Sequence, residues 1–281
     1  MKLNLSLLLL VSIFLMPVVK SGEPAPDSGL SRQGMIVDLD ADKEVTLEGE
    51  TVASWKNQIE WKARDFEGRR VKGRPSLRKA VAELNGHNAM VFRQQELVNY
   101  DEDAFDSLTT GSGWTVFSVI SVAAKQPGLQ PDVNSWFGNL KNGGNYEGFW
   151  GALNDDNSVW VGARNGSTFP RGNKDNPKAV GPKLEPGRFY IVAGRMSAGT
   201  ANATIDLFVN DAKPVASQAF PVNPKGNASK MAIGQERDAT NHPGKESFNG
   251  ELARILFWDR PLTDSEITAT LAFLKTTYGI K

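Results

Sequence analysis

The chain has 281 residues, and its 40% hydrophobic and 23% charged residues are ordinary values for a globular protein. The 32 basic and 32 acidic residues cancel, so no overall field attracts nucleic acid or another polyanion, and we expect no nucleic-acid partner. The sequence contains no cysteine and two histidines, which excludes a disulfide scaffold, a thiolate zinc site and a cysteine nucleophile, and leaves little material for a histidine metal site.

The first 21 residues have the pattern of a signal peptide. Lys2 supplies a positive charge, and residues 7–19 form an apolar run that is shorter than the roughly 20 residues a membrane-spanning helix needs. Val19 and Ser21 are small, which favours cleavage after Ser21. We therefore expect a secreted protein, extracellular or periplasmic, with no membrane insertion after signal removal. An uncleaved N-terminal anchor is the alternative.

Residues 22–32 are rich in proline, glycine and serine and are interpreted as a flexible leader. No second linker, repeat or charge block follows in the sequence, so residues 33–281 are predicted to form one domain. A length of roughly 250 residues lies within the range that β-sandwiches reach as a single unit.

The body of the chain is predicted to consist of short antiparallel strands. In residues 203–209 every second side chain is apolar, and an Asn-Asp pair at 210–211 then turns the chain, which is typical of a β-hairpin. Many short strands without intervening amphipathic helices favour sheets that pack face to face. Further runs of this kind are GMIVDLDA, HNAMVF, WTVFSVISV, SWFGNL, GFWGAL, SVWVGA, RFYIVAGRM, SKMAIGQ and ELARILFW.

Three local patterns add detail. Residues 75–84 are either a helical turn or the first arm of a hairpin, and the Asn-Gly pair at 85–86 favours the hairpin. Thr263 and Glu266 have the spacing of a capping box, and the apolar stripe of one C-terminal helix follows at Ile267, Leu271 and Leu274. Three alternating acidic residues of the first strand are interpreted as solvated turn residues, with a rim site as the alternative: Asp38, Asp40 and Asp42.

Residues 250–281 read GELARILFWDRPLTDSEITATLAFLKTTYGIK, with a glycine before an apolar strand, an Arg-x-Leu turn and a Thr-capped helix. This segment resembles the end of laminin G-like jelly-roll domains of the concanavalin A-like lectin and glucanase superfamily. RFYIVAGRM and IDLFVNDAKPVAS are similar to the family's strand and hairpin, with Asp211 where glycine is usual. MIVDLDADKEV and TVASWKNQ resemble its opening strand and turn. The resemblance covers about residues 188–281 and, more loosely, 34–124.

The resemblance implies an all-β fold, an antiparallel β-sandwich of the jelly-roll type with one short C-terminal helix. In this family the rim or concave face of a curved sheet often binds carbohydrate or protein, frequently with calcium. The implied partners are therefore a carbohydrate or an extracellular protein. The fold alone does not define a function, because it hosts enzymes, lectins, adhesion modules and structural domains.

Catalytic motifs are sparse. Glucanases of this superfamily carry two glutamates on one strand, in Glu-x-Asp-x-x-Glu or Glu-x-Asp-x-Glu, so that both face one bond about 5 Å apart. The nearest match begins with Glu236 and Asp238, but Thr240 and Asn241 stand where the second glutamate belongs. Motifs for a serine nucleophile, a phosphate loop and a zinc protease are absent from the sequence. We therefore expect no enzyme and no catalytic residue.

The most polar segment, residues 234–251, is the predicted ligand-binding loop, because binding residues concentrate on loops held by a rigid sheet. Arginine and histidine suit sugar hydroxyls or a carboxylate, whereas oxygen donors suit calcium, although no calcium-loop spacing is present and no cofactor or metal ligand is assigned. The alternative is a closed polar network in which Arg237 pairs with Glu246 or Asp238. The candidate ligand-binding residues are Glu236, Arg237, Asp238, Asn241 and His242.

The tryptophans supply the other binding candidate. If residues 154–157 close a hairpin of even loop length, Trp150 and Trp160 point to opposite faces of the sheet. Trp160 is then a candidate ligand-binding residue, because an aromatic face can cover the apolar C–H patches of a pyranose ring. The alternative is that Phe149 and Leu153 bury Trp160.

These patterns favour a secreted, non-catalytic, lectin-like recognition module that binds carbohydrate or another protein through its end loops. One alternative is a structural or assembly domain of the cell envelope without a small ligand. A glycan-active enzyme is the less favoured alternative.

Overall fold

The computed structural model describes residues 29–60, 65–69, 73–124, 132–141, 145–170, 177–236 and 246–281. The predicted signal peptide and residues 22–28 of the leader lie outside the described residues, so cleavage after Ser21 stays a prediction. No helix among the described residues is both long enough and apolar enough to cross a membrane.

The strands, numbered in chain order, form two antiparallel layers. The first layer has the spatial order β15 (Ala216–Pro221), β14 (Asn202–Val209), β13 (Phe189–Met196), β8 (Trp114–Val122), β17 (Asn249–Trp258) and β1 (Met35–Asp40). The second layer has the order β12 (Lys178–Lys183), β11 (Ser158–Pro170), β10 (Asn145–Leu153), β9 (Asn134–Gly138), β16 (Ala232–Ile233), β7 (Leu97–Val98), β4 (Asp65–Gly68), β3 (Thr51–Lys56) and β2 (Val45–Glu48).

Two short strands join the layers. β5 (Ser76–Arg78) pairs with β3 and with β6 (Ala89–Arg93), and β6 also pairs with the start of β17. The predicted hairpin is therefore confirmed, with a 3-10 helix at Ala82–Leu84 inside its connection. Asn85 and Gly86 both have positive φ angles, 54° and 84°, which is the backbone conformation that asparagine and glycine tolerate best.

The core lies between the two layers, where alternate side chains of facing strands meet. Val116 and Ile120 of β8 point into it from the first layer, and Phe149 and Leu153 of β10 from the second. Successive side chains of a strand point to opposite faces, so each layer also has an outer face. The predicted all-β jelly-roll sandwich is confirmed.

Helix α2 (Asp264–Tyr278) covers the outer face of the first layer, and α1 (Ser107–Thr110) is a single turn before β8. α2 begins with the predicted capping box, in which the Glu266 N–H donates to Thr263 Oγ1 and the Thr263 N–H donates to the Glu266 carboxylate. Its predicted apolar stripe is buried: Ile267, Leu271 and Leu274. Neither helix of the described ranges covers the outer face of the second layer around β10 and β11, which carries a separate small apolar cluster.

The interpretation of the acidic residues of β1 as solvated is wrong for two of the three. Asp38 is 1% exposed, and both of its carboxylate oxygens accept hydrogen bonds of 2.8 Å from the Arg254 guanidinium on β17. Asp40 is also buried, with a carboxylate oxygen 3.7 Å from Arg254 Nη1. Asp42 lies beyond the end of β1 and accepts a hydrogen bond from the Asn88 N–H. The buried Arg254 guanidinium compensates the negative charges of Asp38 and Asp40, and this explains why both aspartates can be buried.

Candidate functional site

Trp150 of β10 and Trp160 of β11 lie on the same face of the second layer, contrary to the prediction that they point to opposite faces. Leu153 pairs with Val159, so residues 154–158 connect the strands and the loop has an odd length. A shift of the pairing register by one residue moves every side chain of a strand to the opposite face of the sheet. Trp150 and Trp160 therefore approach each other, with ring centroids 5.3 Å apart and planes at 79°.

The conformation of the turn between β10 and β11 explains this register. Asn157 adopts a left-handed conformation with φ 64°, and its N–H donates to the Asn154 carbonyl oxygen. Phe149 and Leu153, the predicted alternative cover for Trp160, point into the main core instead. The side chains that pack around Trp160 on the outer face are Leu140, Tyr146, Trp150 and Ala152.

The two tryptophans form the floor of a cleft of about 560 Å³ on this outer face. That volume is within the usual range for sites that bind small molecules. The cleft combines aromatic rings with two cationic and three acidic side chains. Its lining residues are Asp132, Val133, Leu140, Tyr146, Trp150, Trp160, Arg164, Lys178, Glu236 and Glu246.

Arg164 is a buried cation on β11, two strand positions beyond Gly162. Its guanidinium carbon lies 5.1 Å from the centroid of the Tyr146 ring, within the range of a cation–π contact. Burial lowers the pKa of Arg164, while the nearby Tyr146 and Glu236 act in the opposite direction. Arginine stays protonated in proteins, so this side chain supplies a fixed positive charge and several N–H donors to the cleft.

Lys178 is the second cation and enters the cleft from β12. Its Nζ atom lies 4.9 Å from the centroid of the Trp160 ring and donates a 3.2 Å hydrogen bond to Asn154 Oδ1. Burial lowers the pKa of Lys178, and the charge of Asp132 partly offsets this effect. The ammonium group therefore rests on the face of Trp160 that was predicted as a stacking surface.

Glu236 is the only candidate of the predicted loop that falls within the described residues, and it is buried in the wall of the cleft. Its backbone crosses β9 at Gly138, where a Cβ atom would lie only 2.3 Å from the Glu236 carbonyl oxygen. The same oxygen accepts a 3.0 Å hydrogen bond from the Leu140 N–H. A glycine at 138 thus permits the close approach that holds Glu236 at the cleft.

The other loop candidates, Arg237, Asp238, Asn241 and His242, lie outside the described residues, so their role stays a prediction. Within the described part of the chain, no group of three or more histidine, aspartate or glutamate side chains could hold a metal ion.

The indole N–H groups of the floor have no hydrogen-bond partner in the part of the chain that the structure describes. Trp150 and Trp160 are each 2% exposed, and neither Nε1 atom meets an acceptor among the described residues. Indole is a donor only, and a buried donor without a partner costs about 1–3 kcal/mol. Both Nε1 atoms are enclosed by protein atoms, so this cost falls on the stability of the free protein.

Most of the residues that line the cleft are not among the candidates that the sequence offers. Glu236 and Trp160 are candidates, and the structure brings these two into one cleft. Arg164 was detectable, because Trp160 and Arg164 are four positions apart on one strand and must share a face. Lys178 and Asp132 come from segments whose pairing the local sequence does not encode.

The described fold has a counterpart among protein families. Residues 107–268 match a laminin G-type family model described as the Concanavalin A-like lectin/glucanases superfamily. The chain belongs to this superfamily. The resemblance found in residues 250–281 and upstream is thereby confirmed, and the family match covers all three strands that carry the tryptophan floor and its two cations.

The chain is similar to solved structures of low sequence identity. The Trypanosoma rangeli sialidase in complex with 2,3-difluorosialic acid is 13% identical, with a TM-score of 0.52 over 88% of this chain and 34% of that chain. A Trypanosoma rangeli sialidase mutant displaying trans-sialidase activity is 12% identical, with a TM-score of 0.54 and the same coverage. The Ruminococcus gnavus IT-sialidase CBM40 bound to alpha2,3 sialyllactose is 14% identical, with a TM-score of 0.42 over 59% of this chain and 85% of that chain. A search of curated proteins finds no match.

These comparisons correct one expectation. The prediction that the chain is not an enzyme is contradicted, because the structures that share its fold include an enzyme, the Trypanosoma rangeli sialidase. The chain spans about a third of the length of the sialidase chains it matches. At 12–13% identity the likeness shows the fold alone.

Proposed function

We propose that this protein binds a carbohydrate in the cleft on the outer face of the second layer. The observation that carries the proposal is the joint presence of an aromatic floor, N–H donors and carboxylate acceptors in one cleft. A sugar ring has apolar C–H patches and hydroxyl groups that both donate and accept, so it requires this mixture. Membership of a superfamily named for its lectins supports the same conclusion.

The burial of the two tryptophans limits the contacts that a sugar can make with the floor of the cleft. Trp150 and Trp160 are too buried, and Trp160 too closely covered by the Lys178 ammonium, for a ring to stack flat on the floor. The sugar is expected to meet the exposed edges of these rings, while Tyr146 and Arg164 contact it from the wall. The signal-peptide pattern of residues 1–21 supports an exported protein, and we propose a glycan outside the cytoplasm as the ligand.

Two tyrosine variants test the proposal. A glycan array identifies the glycans that bind, and titration then measures the affinity of each variant for each bound glycan. Tyr146→Ala removes a half-buried ring that lines the cleft and positions Arg164, and it is expected to weaken binding roughly fivefold to thirtyfold, or about 1–2 kcal/mol. Tyr100→Ala is the matched control, because Tyr100 is 50% exposed and does not line the cleft, and it should leave affinity unchanged. Absence of any bound glycan, or equal losses in both variants, would refute the proposal.

Glycoside hydrolysis is a second candidate function, favoured by the three carboxylates that line the cleft, those of Asp132, Glu236 and Glu246. Most glycosidases use two carboxyl groups that flank the scissile bond. If the bound glycan is cleaved, Glu236→Gln should slow cleavage by about 100-fold or more, because a general acid or base typically contributes that much. Glu44→Gln, on an exposed residue outside the cleft, is the control. Recovery of the intact glycan after long incubation, measured by mass spectrometry, would eliminate this candidate.

A further inference from the structure

The Lys178 ammonium has no ion-pair partner among the described residues of the cleft. Its contacts within the described residues are the neutral Asn154 amide oxygen and the Trp160 ring, and Asp132 acts on it from beyond ion-pair distance. Arg164 differs, because its side chain is buried against the Tyr146 ring, whereas Lys178 is half-buried and open to the cleft. Lys178 is therefore the cation in this cleft that is most available to an anionic ligand.

The floor of the cleft next to Lys178 contains donors that lack acceptors among the described residues. The ammonium has more N–H donors than its one described acceptor, and the indole N–H groups of Trp150 and Trp160 have no acceptor among the described residues. The two rings lie 5.3 Å apart and Lys178 lies against one of them, so the donors belong to one small region. A group with several acceptor oxygens fits such a region better than a single hydroxyl does.

A neutral sugar meets an obstacle at the same place. To cover the face of Trp160 it must displace the ammonium from the ring, and it offers no charge to compensate for the loss of the cation–π contact. An oxyanion instead pairs with the ammonium where it stands. The carboxylates of Asp132, Glu236 and Glu246 also line the cleft and oppose an anion, and Asp132 is the one whose charge acts on Lys178.

We propose that Lys178 makes the cleft selective for glycans that carry an oxyanion, a carboxylate or a sulfate group, over the neutral forms of the same glycans. This inference rests on the proposed carbohydrate-binding function. Lys178 accepts the oxyanion as an ion pair, and its ammonium N–H donors that Asn154 does not use bond to the oxygens of the anion. Asp132 sets the strength of the preference by its negative charge.

The test compares matched oligosaccharides in neutral, carboxylated and sulfated forms, with affinities measured by titration. We expect the wild-type protein to bind at least one charged form about tenfold more tightly than the neutral form. Lys178→Met keeps the apolar stem but removes the charge, and it should reduce this ratio about tenfold by weakening the charged glycan and strengthening the neutral one. Lys178→Arg should keep the preference, and Asp132→Asn should increase it.

The outcomes separate the two proposals. If neutral glycans bind as tightly as charged ones, and Tyr146→Ala weakens both, the selectivity of Lys178 is refuted while carbohydrate binding in the cleft stands. Equal weakening of charged and neutral glycans by Lys178→Met also refutes the selectivity. The carboxylated and sulfated arms show which oxyanion the cleft takes. Thermal unfolding of each variant confirms that the compared proteins are folded.

Discussion

Replacing Arg254 by methionine is expected to lower the free energy of unfolding by about 3–5 kcal/mol, the usual cost of breaking a buried ion pair by removing one partner. Arg254 and Asp38 are 2% and 1% exposed, and two hydrogen bonds of 2.8 Å join them. The substitution removes the buried cation and leaves the Asp38 carboxylate with the half-exposed Arg32 guanidinium, 3.5 Å away. Asp40 is affected too, because burial already raises its pKa and Arg254 is the main group that lowers it. Urea denaturation followed by circular dichroism measures the effect.

Two further variants distinguish the loss of the buried ion pair from the loss of an arginine side chain in general. Arg78→Met removes an arginine with a 43% exposed side chain and surface partners, Glu83 and Glu251, and should cost about 1 kcal/mol or less. Combining Arg254→Met with Asp38→Leu should recover much of the lost stability, because apolar residues often replace a buried pair without loss. A cost below about 1 kcal/mol for Arg254→Met would contradict the assignment of this pair as a buried, mutually dependent unit.

Truncation of Trp160 to alanine is expected to reduce glycan affinity by about 2–4 kcal/mol, which corresponds to roughly 30-fold to 1,000-fold. The change removes the floor of the cleft, one unpartnered N–H donor and the ring beneath Lys178. Trp160→Phe keeps an aromatic floor but no donor, and its affinity should lie between those of the wild type and the alanine variant. Isothermal titration at a temperature well below unfolding gives the values.

Loss of stability must be separated from loss of binding, because removing a buried tryptophan costs about 3–5 kcal/mol by itself. Trp258→Ala is the matched control. Trp258 is fully buried on the opposite layer beneath α2, and its indole N–H donates to the Ser31 carbonyl oxygen at 2.7 Å. It should lose stability to a similar extent and retain glycan affinity in its folded form. Equal losses of affinity in the Trp160 and Trp258 variants would argue against the cleft as the binding site.

The fold was predictable where local chemistry decides the structure. The capping box of α2 needs only Thr263 and Glu266, three positions apart, and the strands follow from alternation of apolar residues within short windows. The hairpin between β10 and β11 marks the limit. Its Asn-Asp-Asp-Asn turn permits more than one loop length, and a left-handed Asn157 decides the register and therefore the face on which Trp150 lies.

The cleft and the buried ion pair were less predictable because both depend on long-range packing. Asp38 and Arg254 are 216 positions apart, and alternation within β1 identifies neither the partner nor the burial. In the same way, Lys178 reaches Trp160 only because β12 pairs with β11. Glu236 and Trp160 were selected for different reasons and lie in one cleft, while their role in ligand binding stays a prediction.

The most direct test of carbohydrate binding in this cleft is a titration of the ¹⁵N-labelled protein with an array-identified glycan, followed through its tryptophan indole N–H signals. The chain has seven tryptophans, and single Trp→Phe variants assign their signals. We expect the signals of Trp150 and Trp160 to shift as the glycan packs against their rings, while that of Trp258 beneath α2 stays in place. Saturation by the glycan with the Trp150 and Trp160 signals unchanged would contradict binding at this cleft.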